Sequence, residues 1–224
     1  RYRYGDYIRE KFGFIRALAQ FLNEEKGGLL YPDYICTPGG DWFSRGFCMQ
    51  RLIPGSGLPE YTPAAAENAA AALRTFHRQC DRFRGGAVPV RHFAARKNAY
   101  YERAALYGCG IVHGEYRVRN ILFDGDVPTG IIDFDSVCRG ERFWDIAYLM
   151  LDFLENAPGE GFSAVERIHR AYRADCPAEA AYAALAVLVE DYVGKCRAGY
   201  LKHNRKLRFA EYEILLKELK GKCR

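Results

Sequence analysis

Apolar residues at three- and four-residue steps (Ile8, Phe12, Ile15, Leu18 and Leu22) predict an amphipathic helix from Ile8 to Glu25, stopped by Gly27-Gly28. Two short apolar runs follow, Tyr34-Ile35-Cys36 and Gly46-Phe47-Cys48-Met49. They flank a turn containing Gly39-Gly40-Asp41 and predict a strand pair within Pro32 to Arg51. Pro54-Gly55-Ser56-Gly57 then marks a linker between a small N-terminal lobe and a larger C-terminal one. From Thr62 the pattern turns helical again. Thr62 suits an N-cap and Pro63 the first turn, and the helix runs to about Cys80. A further helix is expected over Asn98 to Leu106.

Between Gly108 and Asp133 the period shortens to that of strands. Ile121-Leu122-Phe123 and Gly130-Ile131-Ile132, separated by Asp124-Gly125-Asp126, predict a hairpin. The remainder reads as helices over Phe143 to Leu154, Ser163 to Ala174, Pro177 to Arg197 and Phe209 to Leu219. Helix, strand pair, linker, helices, a small β insert and a helical tail make an α+β chain in two lobes, divided as 1–53 and 54–224.

Composition narrows the classes. The chain has 224 residues, 49% of them hydrophobic and 14% aromatic, which is ample material for a core and speaks against disorder. No apolar run approaches the roughly 18 residues of a membrane span. A net charge of +5 is too mild to indicate a nucleic-acid binder by itself. Basic residues do concentrate at the end. From Lys195 onward ten Lys or Arg face three Glu, which reads as the solvated face of a terminal helix with Tyr212, Leu215, Leu216 and Leu219 turned inward. The eight Cys include no CxxC pair and no zinc spacing, so reduced cytoplasmic thiols filling core positions are expected.

The chemistry concentrates in Ile111 to Tyr148. His113, Glu115 and Asn120 lie in a polar loop between apolar runs, and Asp133 and Asp135 follow an apolar strand. An amide and carboxylates gathered at a strand end make an oxygen-rich site of the kind Mg²⁺ prefers, completed by phosphates and water. An acid in the same loop is placed to accept a hydroxyl proton. Arg117 and Arg119 serve either to neutralise a transferred phosphoryl group or as a solvated basic loop. Asp135 stays open as a second metal contact, a substrate-facing acid or a cap. His113 and His77 read as structural, Asp145 as an N-cap or a buried brace, and Trp42 and Trp144 as packing residues.

The segment His113-Gly114-Glu115-Tyr116-Arg117-Val118-Arg119-Asn120, followed by Ile132-Asp133-Phe134-Asp135 and Asp145-Ile146-Ala147, resembles the aminoglycoside phosphotransferase and choline kinase-like family. That family's motifs are HGDxxxxN, a later IDxD and a DLA-like helix. The resemblance is strongest over residues 108–150 and extends more weakly back to residue 8.

It implies a bilobal protein-kinase-like fold with a truncated N-lobe and a mostly helical C-lobe. ATP would lie between the lobes and Mg²⁺ on Asn120 and Asp133, with Glu115 in the base position. Met49 would form the inner wall of the adenine site, and the backbone of Gln50 and Leu52 would bond the base. Glu10 would pair with the phosphate-binding Lys of a preceding strand. The implied activity is transfer of the γ-phosphate to a hydroxyl of a small molecule, such as an aminoglycoside, an amino alcohol or a homoserine-like compound. The acids Asp135, Glu141, Asp152 and Glu155 would suit a cationic substrate.

Two departures stand against the pattern. The family's base is Asp, and here it is Glu115. No Lys precedes Lys11, so the Gly-rich hairpin and Lys-bearing strand are not found ahead of the first helix. The expectation is therefore an N-terminally incomplete chain. The alternative is a weak or inactive pseudo-kinase of the same fold acting as a binding module.

Overall fold

A computed structural model describes residues 4–25, 27–40, 48–86, 109–157, 160, 162–172, 177–198 and 209–222. The chain opens with helix α1 (Tyr4–Glu24) and the antiparallel pair β1 (Tyr34–Ile35) and β2 (Met49–Gln50), in register Tyr34↔Gln50 and Ile35↔Met49. Helix α2 (Pro63–Cys80) follows, then β3 (Cys109–Val112), a 3-10 turn at Val118–Asn120, the hairpin β4 (Ile121–Asp124) and β5 (Val127–Ile131), a second 3-10 turn at Phe134–Ser136, and β6 (Cys138–Glu141). Helices α3 (Phe143–Asn156), α4 (Phe162–Tyr172), α5 (Ala178–Arg197) and α6 (Phe209–Lys222) complete it.

Local chemistry explains several boundaries. Thr62 is extended and its hydroxyl accepts the Ala65 N–H at 3.0 Å, while Pro63 occupies the first turn of α2, where a missing N–H costs nothing. The inner face of α2 is Ala65, Ala66, Ala69, Ala70, Leu73 and Phe76, all buried. Small side chains let α4 and the β4–β5 hairpin approach α2 closely. One continuous apolar core runs from Ile15, Leu18 and Leu22 of α1 through Phe76 and Phe134 to Val189 of α5 and Leu219 of α6.

The Pro54–Gly57 stretch is not a loose tether. Ser56 N–H donates to the Phe123 carbonyl at 3.0 Å, and Phe123 N–H donates back at 2.8 Å. On the other edge of the hairpin, Leu30 N–H donates to Thr129 O and Ile131 N–H to Leu30 O, both at 2.9 Å. The chain entering β1 and the chain leaving β2 thus cover both edges of β4–β5, which would otherwise expose unpaired backbone.

The described part of the basic tail after residue 208, α6, packs as its spacing predicts; Lys202, Arg205, Lys206, Arg208 and Arg224 lie outside the described residues. Tyr212, Leu215 and Leu219 are buried, and the Tyr192 and Tyr212 rings stand 4.8 Å apart. Its cations meet acids of neighbouring helices: Lys220 with Glu190 at 2.9 Å, Lys222 with Glu166 at 3.1 Å, and Arg197 with Glu213. Among the described residues no helix is long and apolar enough to cross a membrane.

Some expectations need correction. Strand β6 was not predicted. Asp145 does not cap α3; Arg142 precedes the helix, and Asp145 is fully buried inside it. Among the described residues only Cys80 and Cys138 are fully buried thiols, whereas Cys36 and Cys109 are exposed and Cys48 and Cys196 half-buried; Cys176 and Cys223 lie outside the described residues. The helix expected over 98–106 and Trp42 lie outside the described residues; Trp144 is buried as expected.

Candidate functional site

The site is assembled where the polar loop after β3 meets the end of β5. Ile132 N–H donates to the Asn120 carbonyl at 2.9 Å, which continues the hairpin pairing by one step and sets Asn120 across from Ile132, the residue before Asp133. The loop folds on itself, with Arg117 N–H on Glu115 O at 2.8 Å and Asn120 N–H on Arg117 O at 2.9 Å. The Asn120 amide is 4% exposed, and its Nδ2 donates to the Glu115 carbonyl at 3.0 Å. That bond spends the amide's donor end and leaves Oδ1 as the atom offered to a ligand.

Asp133 follows in the left-handed region, at φ 62° and ψ 62°, the one described non-glycine residue with positive φ. Such backbone costs on the order of 1 kcal/mol or more and persists only where surroundings enforce it. Here the enforcement is visible. His113 is fully buried, and its Nε2–H donates to the Ile132 carbonyl at 2.9 Å, immediately before Asp133. The ring packs edge-on against Phe76, Tyr116 and Phe134. His113 is therefore structural, and it fixes the strand end that presents Asp133.

Gly114 also has positive φ, at 80°, and a Cβ there would stand 2.3 Å from the Ser136 carbonyl. The loop touches the 3-10 turn beyond Asp133 at this point, and only glycine permits it. Gly114→Ala is expected to lower stability by about 1–3 kcal/mol, read as a lower denaturant midpoint.

Beneath the loop lies a buried chain of hydrogen bonds in which Asp145 is the brace, one of its two expected roles, while its link to His77 and Tyr172 is not legible in the sequence. Asp145 Oδ2 accepts the His113 backbone N–H at 2.7 Å, and its Oδ1 accepts the Gly114 N–H at 2.8 Å. His77 Nε2 meets the same Oδ2 at 3.0 Å, and His77 Nδ1 meets the Tyr172 hydroxyl at 2.8 Å. Burial lowers the His77 pKa, against the opposing pull of Asp145. Asp81 and Arg142 also face it, from the end of α2 and the start of α3. The sign follows directly. The unfolded chain protonates His77 near its ordinary value of about 6.5, whereas the folded chain resists, so stability falls as pH drops below about 6.5. In His77→Gln the slope of unfolding free energy against pH between about 5 and 6.5 should be shallower than in the wild type.

The two arginines have different surroundings. Arg117 pairs with Asp152 Oδ1 at 2.8 Å, and its guanidinium lies 5.1 Å from the Tyr148 ring centre. Val118 N–H donates to the other Asp152 oxygen at 2.8 Å. Burial raises the Asp152 pKa, and Arg117 and the Val118 N–H oppose it. Arg119 is exposed and donates to Glu115 Oε1 at 2.5 Å, with Arg117 Nε at 3.8 Å from the same oxygen.

The acids read as a cationic-substrate surface are otherwise engaged, apart from Asp135. Glu141 is buried in β6, Asp152 holds Arg117, and Glu155 accepts the Tyr212 hydroxyl at 2.5 Å. Asp135 is exposed, two residues beyond Asp133 in the 3-10 turn.

The N-terminal strand pair closes over this acidic end. The Tyr34 pKa is pushed up by burial, then by Cys48, Asp135 and Asp133 in turn, and that of Cys48 by burial and Asp135. Arg51 N–H donates to Asp33 O at 2.8 Å, so 33/51 is a bonded pair and Tyr34↔Gln50 an unbonded one. The backbone groups of Gln50 therefore point away from β1. Met49 and Leu52 are 68% and 91% exposed, so Met49 is not an enclosed wall. Glu10 is exposed on α1.

Could these residues hold Mg²⁺? An amide oxygen and a single carboxylate at a strand end form a hard, incomplete donor set, which nucleotide phosphates and water complete. Among the described residues no three His, Cys, Asp or Glu converge as a ready-made cage. Asn120 and Asp133 thus fit the ion as it is held in phosphoryl-transfer sites.

The architecture has solved counterparts. An aminoglycoside phosphotransferase from Alicyclobacillus acidocaldarius is similar at TM-score 0.60 and 13% identity, over 94% of this chain and 81% of that one. Macrolide 2'-phosphotransferase MphH from Brachybacterium faecium is similar at 0.56 and 15%, over 95% and 81%. The streptomycin–ATP ternary complex of APH(2")-IIa is similar at 0.53 and 16%, over 96% and 82%. The fold is thus that of the kinase-like phosphotransferases, α+β with a mostly helical C-terminal part. A model of the phosphotransferase enzyme family, APH, matches residues 49–188, and the chain belongs to that family. No curated protein matches it.

Proposed function

We propose that this chain moves the γ-phosphoryl group of ATP to a hydroxyl of a small molecule in the cytoplasm, with Mg²⁺ held by Asn120 and Asp133. The observation that supports the reading is the Asn120–Ile132 backbone bond, which pairs Asn120 with the residue just before the strained Asp133. Mg²⁺ held by Asn120 and Asp133 would supply charge neutralisation for the nucleotide phosphates. The protein's own residues do the positioning. His113 and Asp145 hold the two sides of the loop, Arg117 is tied to Asp152, and Glu115 keeps Oε2 to take the substrate proton while Arg119 occupies Oε1. The outward backbone of Gln50, continued by Leu52, meets the base. Asp135 is the acid on offer to a cationic acceptor such as an amino alcohol or aminosugar.

One observation favours a second reading, a catalytically weak binding module. The acid in the base position is Glu115 rather than Asp, and its carboxylate is already bonded to Arg119.

Isothermal titration with Mg·ATP tests the common part of both readings. The wild type is expected to bind, and Asp133→Ala to weaken binding at least about tenfold. Unchanged affinity in Asp133→Ala removes the metal assignment.

A further inference from the structure

The register of the strand pair, carried one step past its last recorded pair, aligns two cysteines. Tyr34 pairs with Gln50 and Ile35 with Met49, where the two strands end; one further step in the same register would bring Cys36 across from Cys48. Both thiols are free. Bonded and unbonded pairs alternate along an antiparallel ladder. The Arg51–Asp33 bond makes 33/51 a bonded pair, so 35/49 is bonded too, and 36/48 falls at the close, unbonded kind of position. Residues at such positions have Cα atoms about 4.5 Å apart and side chains on one face. A disulfide needs a Cα spacing of about 4.4–6.8 Å, so this juxtaposition lies within its range.

We propose that Cys36 and Cys48 are a modification site: a reversible disulfide across the end of the β1–β2 strand pair. The site's two ends differ as such a pair requires. Cys36 is exposed, with Arg16 Nη2 3.2 Å from its sulfur, and meets the oxidant first. Cys48 is half-buried, and burial together with Asp135 keeps its thiol protonated, so it is the slower, resolving partner.

With oxidised glutathione as the oxidant, the Cys36 thiol loses its proton to solvent and attacks one glutathione sulfur, releasing one glutathione thiolate. The Cys48 thiol then loses its proton and attacks the Cys36 sulfur of the mixed disulfide, releasing the second glutathione. Two protein thiols and one glutathione disulfide give one protein disulfide and two glutathione thiols. The bond depends on strand register alone, so it stands apart from the phosphotransferase reading.

The test is peptide mapping of the folded full chain after exposure to oxidised glutathione, without reduction. Trypsin cuts after Lys26, Arg45 and Arg51, which places Cys36 and Cys48 on separate peptides, 27–45 and 46–51. The expected product is these two peptides joined, two hydrogens lighter than their sum, and separated again by dithiothreitol. Cys36→Ser and Cys48→Ser should each abolish it, with circular dichroism unchanged. In Cys48→Ser, Cys36 should instead carry glutathione that no other cysteine displaces. Wild-type Cys36 that ends as a stable glutathione adduct beside a free Cys48, or linked to any other cysteine, overturns the proposal.

Discussion

Replacing Asp145 with Ala should cost about 3–5 kcal/mol of stability, a large share of the roughly 5–15 kcal/mol a domain has. The carboxylate is fully buried and accepts from the His113 N–H and the Gly114 N–H while meeting His77 Nε2. Alanine would leave these groups buried without an acceptor, and each such orphan costs about 1–3 kcal/mol. Asp145→Asn separates geometry from charge. Its amide oxygen can satisfy one side, but its NH₂ must face a donor on the other. It should therefore fall between wild type and Ala in urea midpoint. The loop that Asp145 holds carries Glu115 and Asn120, so loosening it should also weaken nucleotide binding in any Asn variant that still folds. Equal urea midpoints for wild type and Asp145→Asn would show that the hydrogen-bonded chain contributes nothing.

What the sequence made legible was what local chemistry decides. The α2 boundaries follow from Thr62 and Pro63, and the structure reproduces them. The β4–β5 hairpin follows from a turn signal between two apolar runs, and the tail helix from the spacing of Tyr212, Leu215 and Leu219. The loop spacing from His113 to Asn120, with Asp133 thirteen residues on, was enough to indicate the family.

What stayed hidden was non-local. Cys138-Arg139-Gly140-Glu141 lacks an apolar alternation, and it is a strand because Val112 pairs with Cys138 and Ile111 with Arg139. His77 and Asp145 stand 68 residues apart, and nothing local announces their bond. Arg117 fitted two roles in the sequence; in the structure its partner is Asp152, one of the acids read as substrate-facing. A periodicity argument places a side chain on a face, but it does not choose the partner across the core.

Glu115→Gln should reduce phosphoryl transfer about 100-fold or more while leaving Mg·ATP affinity unchanged. Gln keeps the size and the bond to Arg119 through its amide oxygen but cannot take a proton, and a positioned base typically contributes about 10²–10⁴. Glu115→Asp moves the carboxylate the other way. It shortens the side chain by one methylene, about 1 Å, and withdraws it from Arg119, which lies 2.5 Å from Oε1. Freed from that partner, the Asp variant should turn over at least as fast as wild type. A coupled ADP-release assay over a panel of amino alcohols and aminosugars, run beside titration calorimetry, reads both quantities. If Gln and wild type turn over alike, Glu115 is not the base. If wild type binds Mg·ATP but neither it nor the Asp variant transfers phosphate to any acceptor, the binding-module reading replaces the enzyme. The Arg119 bond to Glu115 would then be a lock on the loop rather than a feature of catalysis.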